Sequence, residues 1–270
     1  MNEKYEIDHR FIAIISDKTA EILHKAKMKP EKTLTQKVTK TLFSLCKEHV
    51  AITLGRQAIS LIQEIRGIIN KRADLTTLSY SESKKRNFIF PPGHPRENVV
   101  YAQHPANSLM YYTASSFHRQ AFEHKFAEVI TLLSSLGARE IKVEHVRGWN
   151  REFSAEMGVS MSPHNVKASI GKNSSKSDSI LFDAKLIGHD NPSIPDNLVW
   201  YPHEKLWQTV AIARVEKRLS DFNLALTYSD DYGINTNFKA SLKNTGLDLG
   251  GNFVEHQSTL WKITGVFGPA

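Results

Sequence analysis

The stretch from residue 152 to residue 162 alternates polar and apolar side chains without interruption. Its apolar positions are Phe153, Ala155, Met157, Val159 and Met161. Glutamate, serine and glycine occupy the positions between them. Because successive side chains of a β-strand point to opposite faces, a period of two residues predicts a half-buried strand at this place in the chain.

The alternation resumes after Pro163 and predicts a second strand. It includes Ile170, crosses a run rich in serine and lysine, and continues through Phe182. Two strands joined by a polar loop predict a long hairpin over residues 152–187. A pore former of the β type inserts such a hairpin into a bilayer, but a half-buried antiparallel sheet gives the same pattern. The half-buried antiparallel sheet is the commoner source of this pattern.

A basic helical module is predicted over residues 1–75. Residues 7–29 are expected to form a first helix that ends at Pro30, and Thr33 can cap a second helix. The second helix has leucine and valine on one face and lysine on the other, which suits either packing on the body or binding to a membrane surface. Residues 50–69 are apolar on nearly every side, which is typical of a helix that becomes buried.

The rest of the chain predicts a linker and a mixed body. Residues 76–98 are polar and basic and then rich in proline and glycine, so they are expected to form the linker. Residues 99–270 alternate between strand and helix patterns, which predicts strands at 99–102, 139–146, 222–228 and 256–267 and helices at 117–136, 203–220 and 234–246. The expected fold class is α+β, in which the helical module precedes a body with a largely antiparallel, hairpin-rich sheet and flanking helices.

The positive charge of the chain is concentrated in its first hundred residues. That part holds 18 lysines and arginines against 11 acidic residues, whereas residues 101–270 hold 17 of each, so the first part carries the whole net charge of +7. A cationic module favours polyanions such as nucleic acid or anionic lipid as partners. The candidate residues for an anionic partner are Lys37, Lys40, Lys47, Arg56, Lys84, Lys85 and Arg86. The last three lie beside two phenylalanines, an arrangement that suits base stacking as well as a solvated connection.

The sequence predicts no cofactor and no metal ion. Twelve histidines invite a metal hypothesis, but the HExxH pattern is absent, and His118 and His124 are six residues apart, which puts them on different faces of a helix. A zinc site assembled from His94, His104 and His145 is the alternative. No nucleophile motif of the GxSxG type occurs, so an enzymatic role is unsupported without being excluded.

The pattern of apolar residues and cysteine usage bears on the compartment. The chain has a single cysteine, Cys46, and no run of 18 apolar residues, and its first ten residues lack the apolar core of a secretory signal. A cytoplasmic protein that becomes associated with a membrane on activation is therefore expected.

The leading functional hypothesis is a soluble effector that binds anionic membranes, forms a homo-oligomer and permeabilises the bilayer through the hairpin. Oligomers are expected because a lone hairpin leaves backbone hydrogen-bonding groups unsatisfied in lipid. The membrane-facing candidates are Phe153, Met157, Val159, Met161, Ile170 and Phe182. The alternative hypothesis is a cytosolic nucleic-acid-binding or regulatory module that uses the basic residues of the first part, and a histidine-metal enzyme is a third.

Overall fold

The computed structural model describes residues 10–21, 75–150, 180–243 and 246–268. They form two compact units. Of the described residues, the first unit contains 10–21, 75–117, 233–243 and 246–255, and the second contains 118–150, 180–232 and 256–268. Each unit contains a four-stranded sheet together with helices, so the expected mixed α+β class is confirmed. Residues 22–74, which contain most of the predicted helical module, lie outside the described residues.

The first unit is built on a mixed sheet with the strand order β2-β1-β3-β4. Its elements are β1 (Phe11–Ile15), β2 (Leu75–Ser79), α1 (Tyr80–Lys85), β3 (Val99–His104) and β4 (Asn107–Thr113). β1 runs parallel to β2 and antiparallel to β3, and β3 and β4 form a hairpin. The helix that we number α4 (Thr236–Leu242) also belongs to this unit, and its Phe238 stacks on Phe11 with ring centroids 4.9 Å apart.

The prediction of a helix over residues 7–29 is wrong at its start, because residues 11–15 form a strand. All five side chains of β1 are at most 1% exposed, since the strand has a neighbour on each edge and is covered on both faces. A strand buried on both faces has no polar positions to reveal its period of two, so a short apolar run resembles a buried helix in sequence. Helical structure begins only at residue 17.

The segment that was predicted as a linker contains regular structure. β2 and α1 occupy residues 75–85, and Ser79 caps α1 by accepting a hydrogen bond from the backbone N–H of Glu82 at 3.0 Å. Ile89 forms a single bridge to Met110 beside β4. The Pro- and Gly-rich stretch from 91 to 98 has no helix or strand.

The second unit is built on an antiparallel sheet with the strand order β6-β5-β8-β7. Its elements are α2 (Phe117–Ser135), β5 (Ala138–Arg147), β6 (Ile180–Lys185), α3 (Lys205–Lys217), β7 (Asp221–Tyr228) and β8 (Thr259–Phe267). These bounds confirm, to within a few residues, the predicted helices at 117–136 and 203–220 and the predicted strands at 139–146, 222–228 and 256–267, whereas the predicted strand at 152–162 lies outside the described residues. Phe122 and Phe126 of α2 contact Trp261 of β8, so the helix covers one face of the sheet.

Gly137 ends α2 and turns the chain directly into β5. Its φ is +85°, and a Cβ at this position would lie only 2.3 Å from the carbonyl oxygen of His189. Only glycine accepts both the left-handed backbone and the close approach. The helix predicted to end at residue 136 ends at Ser135.

Within the described residues, no helix has both the length and the apolar character needed to cross a membrane.

Candidate functional site

The second arm of the predicted hairpin is strand β6, and it pairs with β5. Val143 of β5 lies opposite Phe182, and the Phe182 ring lies 5.9 Å from the ring of Phe126 on α2 at an interplanar angle of 86°. Ala184 points to the same face and is buried. Asp183 and Lys185 point to the other face and are exposed. β6 is therefore an amphipathic strand whose apolar face is covered by α2.

Of the membrane-facing candidates, Phe182 is within the described residues. The other candidates are Phe153, Met157, Val159, Met161 and Ile170, which lie outside them. β6 is the outermost strand of the described sheet, and the chain enters it directly from residue 179. The first arm of the hairpin stays a prediction, as does the assignment of Phe182 to a membrane-facing surface.

Helix α2 is anchored to the segment before α3 by a buried carboxylate. Glu128 is 6% exposed, and its carboxylate accepts backbone hydrogen bonds from Val199, Trp200 and Tyr201 at 2.7, 2.7 and 2.8 Å. The His124 Nε2 atom lies 3.7 Å from the same carboxylate, although burial lowers the His124 pKa more than this carboxylate raises it. Three converging N–H groups are a site for an anion, and here the chain supplies its own.

Lys125 of α2 provides a second anchor. Its ammonium lies 2.5 Å from the carboxylate of Glu204, donates to the Thr227 carbonyl at 2.9 Å, and lies 4.9 Å from the ring of Trp200. A buried cation needs such partners because its desolvation is costly. Together Glu128 and Lys125 fix the position of α2, which is the helix that covers β6.

Arg214 of α3 holds three separate parts of the second unit together. It is 1% exposed and donates to the carbonyls of Leu136, Leu219 and Gly268 at 3.1, 3.0 and 3.1 Å. The guanidinium also lies over the ring of Phe267 at 4.8 Å. The planar fork of arginine can serve several carbonyls at once, so this residue is structural.

A cluster of rings in the second unit contains two histidines. His118 is fully buried and shares a 3.0 Å hydrogen bond with the hydroxyl of Tyr228, and its ring lies 5.1 Å from the ring of His256. Among the residues that the structure describes, none provides a hydrogen-bond partner for the buried Nε2 atom of His256. Burial lowers the pKa of His256, and Asp231 and Asp230 oppose that shift. Protonation of His256 therefore destabilises the folded state in which this cluster is packed.

In the first unit, the basic candidates Lys84, Lys85 and Arg86 lie at the end of α1. Lys84 and Lys85 are exposed. The Lys84 ammonium lies 4.5 Å from the Tyr80 ring, and the Arg86 guanidinium lies 5.8 Å from the Phe88 ring and 2.9 Å from the carboxylate of Glu82. The rings of Tyr80 and Phe88 therefore already contact the protein's own cations, while the Phe90 ring packs against Tyr101 and Tyr111.

Asp17 fixes the start of α1. Its carboxylate accepts hydrogen bonds from the Ser81 hydroxyl at 2.6 Å and the Ser81 N–H at 3.0 Å. These bonds hold the pKa of Asp17 below its usual range, and the charge of Lys85 contributes to the same shift. The remaining anionic-partner candidates, Lys37, Lys40, Lys47 and Arg56, lie outside the described residues.

His94 and Tyr101 form a half-buried pair beside this basic segment. The His94 Nδ1 atom lies 2.6 Å from the Tyr101 hydroxyl, which also accepts a 2.8 Å hydrogen bond from the Arg96 N–H. Burial raises the pKa of Tyr101 to about 12, and burial with the nearby Arg96 charge lowers the pKa of His94. The Nδ1 atom of a neutral His94 can thus accept a hydrogen bond from the Tyr101 hydroxyl, which favours a structural pair over a charged binding site.

The structure gives no support to the zinc alternative within the residues it describes. No group of three or more histidine, cysteine, aspartate or glutamate side chains among them is placed to hold a metal ion. The His104 Nδ1 atom accepts the N–H of Ala106, and the His145 Nε2 atom is 3.1 Å from the carbonyl of Gly148. Both histidines therefore have local structural partners.

Comparison with known proteins supplies no relative, because no protein-family model, curated protein or solved structure matches this chain.

Proposed function

We propose that this protein is a soluble effector that acts from the cytoplasm, binds anionic membranes, oligomerises and permeabilises the bilayer through the hairpin of residues 152–187. The observation that carries the proposal is the placement of β6. It is the outermost strand of the described part of an antiparallel sheet, and its side chains alternate between a face with Phe182 and Ala184 and a face on which Asp183 and Lys185 are exposed beside a partly buried Leu181. An amphipathic strand in that position can be rearranged without splitting the other strand pairs of the sheet.

The cover of β6 supports the same proposal. The Phe182 ring contacts the Phe126 ring of α2, and Ala184 is buried, so this face of the strand is packed against the protein in the folded chain. Insertion would exchange that protein contact for lipid, while Asp183 and Lys185 would face water. Since the strand edges of an inserted hairpin need partners in lipid, several copies must assemble.

The experiment compares two double variants on opposite faces of the first arm. Met157→Asp with Val159→Asp places charges on the apolar face, and Ser154→Asp with Ser160→Asp places equal charges on the polar face of the same segment. Dye release from anionic vesicles is expected to disappear in the first variant and to persist in the second, because charges on the lipid face oppose insertion, by about 2–4 kcal/mol for arginine or lysine at the bilayer midplane and by less for each aspartate.

A folding control separates the two origins of the pattern. Circular dichroism and urea unfolding of both variants are expected to match those of the wild type. If the apolar-face variant fails to fold, residues 152–162 are an ordinary core strand, and the proposal is overturned. Equal leakage from the wild type and a folded apolar-face variant overturns it as well.

A nucleic-acid-binding or regulatory role is the second candidate function, and the exposure of Lys84 and Lys85 is the observation in its favour. Lys84→Glu with Lys85→Glu is expected to weaken binding to single-stranded RNA and DNA and to reduce its salt dependence by about one unit of slope per lost phosphate contact. Lys205→Glu with Lys217→Glu, on α3 of the second unit, is the matched control. Negligible binding by the wild type at low salt removes this candidate.

A further inference from the structure

Strand β7 presents an open edge in the described part of the second unit. It is the outermost strand on the side opposite β6, and it pairs with β8 along all eight residues without a bulge. Its side chains alternate between exposed and buried from Asp221 to Tyr228. The strand contains no proline, lysine or arginine, which are the residues that commonly protect such edges.

The hydrogen bonds at both ends of β7 define which backbone groups face outward. The N–H of Phe267 donates to the carbonyl of Ser220, so the even-numbered residues of this strand bond to β8. Lys125 donates to the carbonyl of Thr227 from outside the ladder, which agrees with odd-numbered residues facing away from β8. The outward backbone groups therefore belong to Asp221, Asn223, Ala225 and Thr227.

We propose that two copies of this chain pair through their β7 edges, antiparallel and about a two-fold axis at Leu224. In this register Asn223 lies opposite Ala225 of the second copy, and Asp221 lies opposite Thr227. Asn223 and Ala225 of each strand then exchange backbone hydrogen bonds with Ala225 and Asn223 of the other copy, while the Thr227 carbonyl keeps its bond from Lys125 and offers its second lone pair to the Asp221 N–H. The two sheets join into one continuous sheet with their apolar faces on the same side.

The charges along β7 agree with this pairing. Asp221 is the only charged side chain of the strand, and antiparallel pairing keeps it away from its own copy in the partner. It arrives instead at the Thr227 end, where the Lys125 ammonium is bonded to the carbonyl and the nearby Glu204 carboxylate is already paired with that ammonium. Like charges are therefore not placed directly opposite one another. The inference depends on β7 alone and holds whether or not the protein permeabilises membranes.

The test measures the mass of the full-length chain by sedimentation velocity over its accessible concentration range. The wild type is expected to reach twice its 30.5 kDa chain mass. Ala225→Pro removes an outward N–H that takes no part in the bonds to β8, so it blocks the edge without breaking the sheet. Ala225→Glu places a charge at the dimer contact while facing Lys262 of its own β8, which preserves the fold. Each variant is expected to weaken dimerisation at least about tenfold.

Thr264→Glu is the matched control, because Thr264 is on the same face of the sheet in the interior strand β8 and faces Lys142. It is expected to dimerise like the wild type. A monomeric wild type overturns the proposal. So does a wild-type dimer that survives unchanged in the folded Ala225→Glu and Ala225→Pro variants.

A cross-link tests the register. With Cys46→Ser as the background, a mixture of an Asn223→Cys chain and an Ala225→Cys chain is expected to form a disulfide more readily than either chain alone. Residues directly opposite in a hydrogen-bonded antiparallel pair have Cα atoms about 5.5 Å apart, within the range a disulfide spans. Equal cross-linking in the three samples contradicts the proposed register.

Discussion

Replacement of Glu128 by glutamine tests how α2 is held in the second unit. The carboxylate accepts three backbone hydrogen bonds, one of its oxygens serving Trp200 and Tyr201 and the other serving Val199. Glutamine keeps one oxygen acceptor and turns the other position into an N–H donor. The Val199 N–H then faces a donor, while the two remaining bonds change from charged to neutral.

The expected loss follows from these three bonds. A buried donor left without a partner costs about 1–3 kcal/mol, and a bond to a charged group is worth about 1 kcal/mol more than a neutral one. Removing the buried charge returns part of this through a smaller desolvation cost. The net expectation for Glu128→Gln is a loss of about 3 kcal/mol in the free energy of unfolding, or roughly 6–12 °C in Tm.

The assay is urea unfolding followed by far-ultraviolet circular dichroism, with thermal unfolding as a second measurement. Glu123→Gln is the control on the same helix, because the side chain of Glu123 is 24% exposed and pairs with the partly exposed Arg119 at 2.8 Å. It is expected to cost at most about 1 kcal/mol. Equal losses in the two variants would refute the structural role assigned to the Glu128 carboxylate.

Three further substitutions probe other parts of the molecule. Arg214→Lys is expected to cost about 2–4 kcal/mol in urea unfolding because an ammonium cannot replace a fork that serves three carbonyls, and a loss below that of a surface substitution would contradict this. His256→Gln is expected to reduce the loss of stability on acidification. In the wild type the pKa of His256 is lower in the folded state than its ordinary value of 6.5, so the unfolded chain binds more protons and the free energy of unfolding falls as the pH drops below about 6.5. Glutamine does not titrate, so the variant lacks this contribution. Urea midpoints at about pH 7.5 and about pH 5.5 measure it, with the exposed His203→Gln as control, and an undiminished pH dependence would be the contrary result. Gly250→Ala is expected to lower the free energy of unfolding by about 2–4 kcal/mol, because the φ of Gly250 is +85° and a Cβ would lie 2.9 Å from Thr113 and Val99. Gly93→Ala is the control, since Gly93 has a φ of +77° but its nearest atom would be 3.6 Å away, and it is expected to cost about 1–2 kcal/mol. Equal losses in the two variants would argue against the clash.

The sequence predicted the second unit well because its elements carry distinct periods. β7 alternates strictly between exposed and buried residues, and α2 is followed by a glycine that is required by the turn. The structure of such elements can be predicted from their local sequence. The first unit was harder because β1 is apolar throughout, and its parallel partner β2 is about sixty residues away in the chain. A chain that began at Ser79 would therefore lose two of the four strands of that sheet.

The buried polar anchors could not be found from sequence for a related reason. Glu128 bonds to residues 71–73 positions later, and Arg214 reaches residues 78 positions before and 54 positions after it. In sequence each is an ordinary charged residue of an amphipathic helix. Only the fold shows that they are buried, and conversely that Lys84 and Lys85, which were selected by their neighbours, are exposed at a helix end.

The most direct test of the account is dye release from anionic and neutral vesicles by the unmodified full-length chain, with its folding verified in the same buffer. The proposed function predicts leakage that is stronger with anionic lipid and rises more steeply than in proportion to protein concentration, because several copies must assemble. Vesicles of both kinds that remain intact over a range of pH and salt, in the presence of well-folded protein, would contradict it.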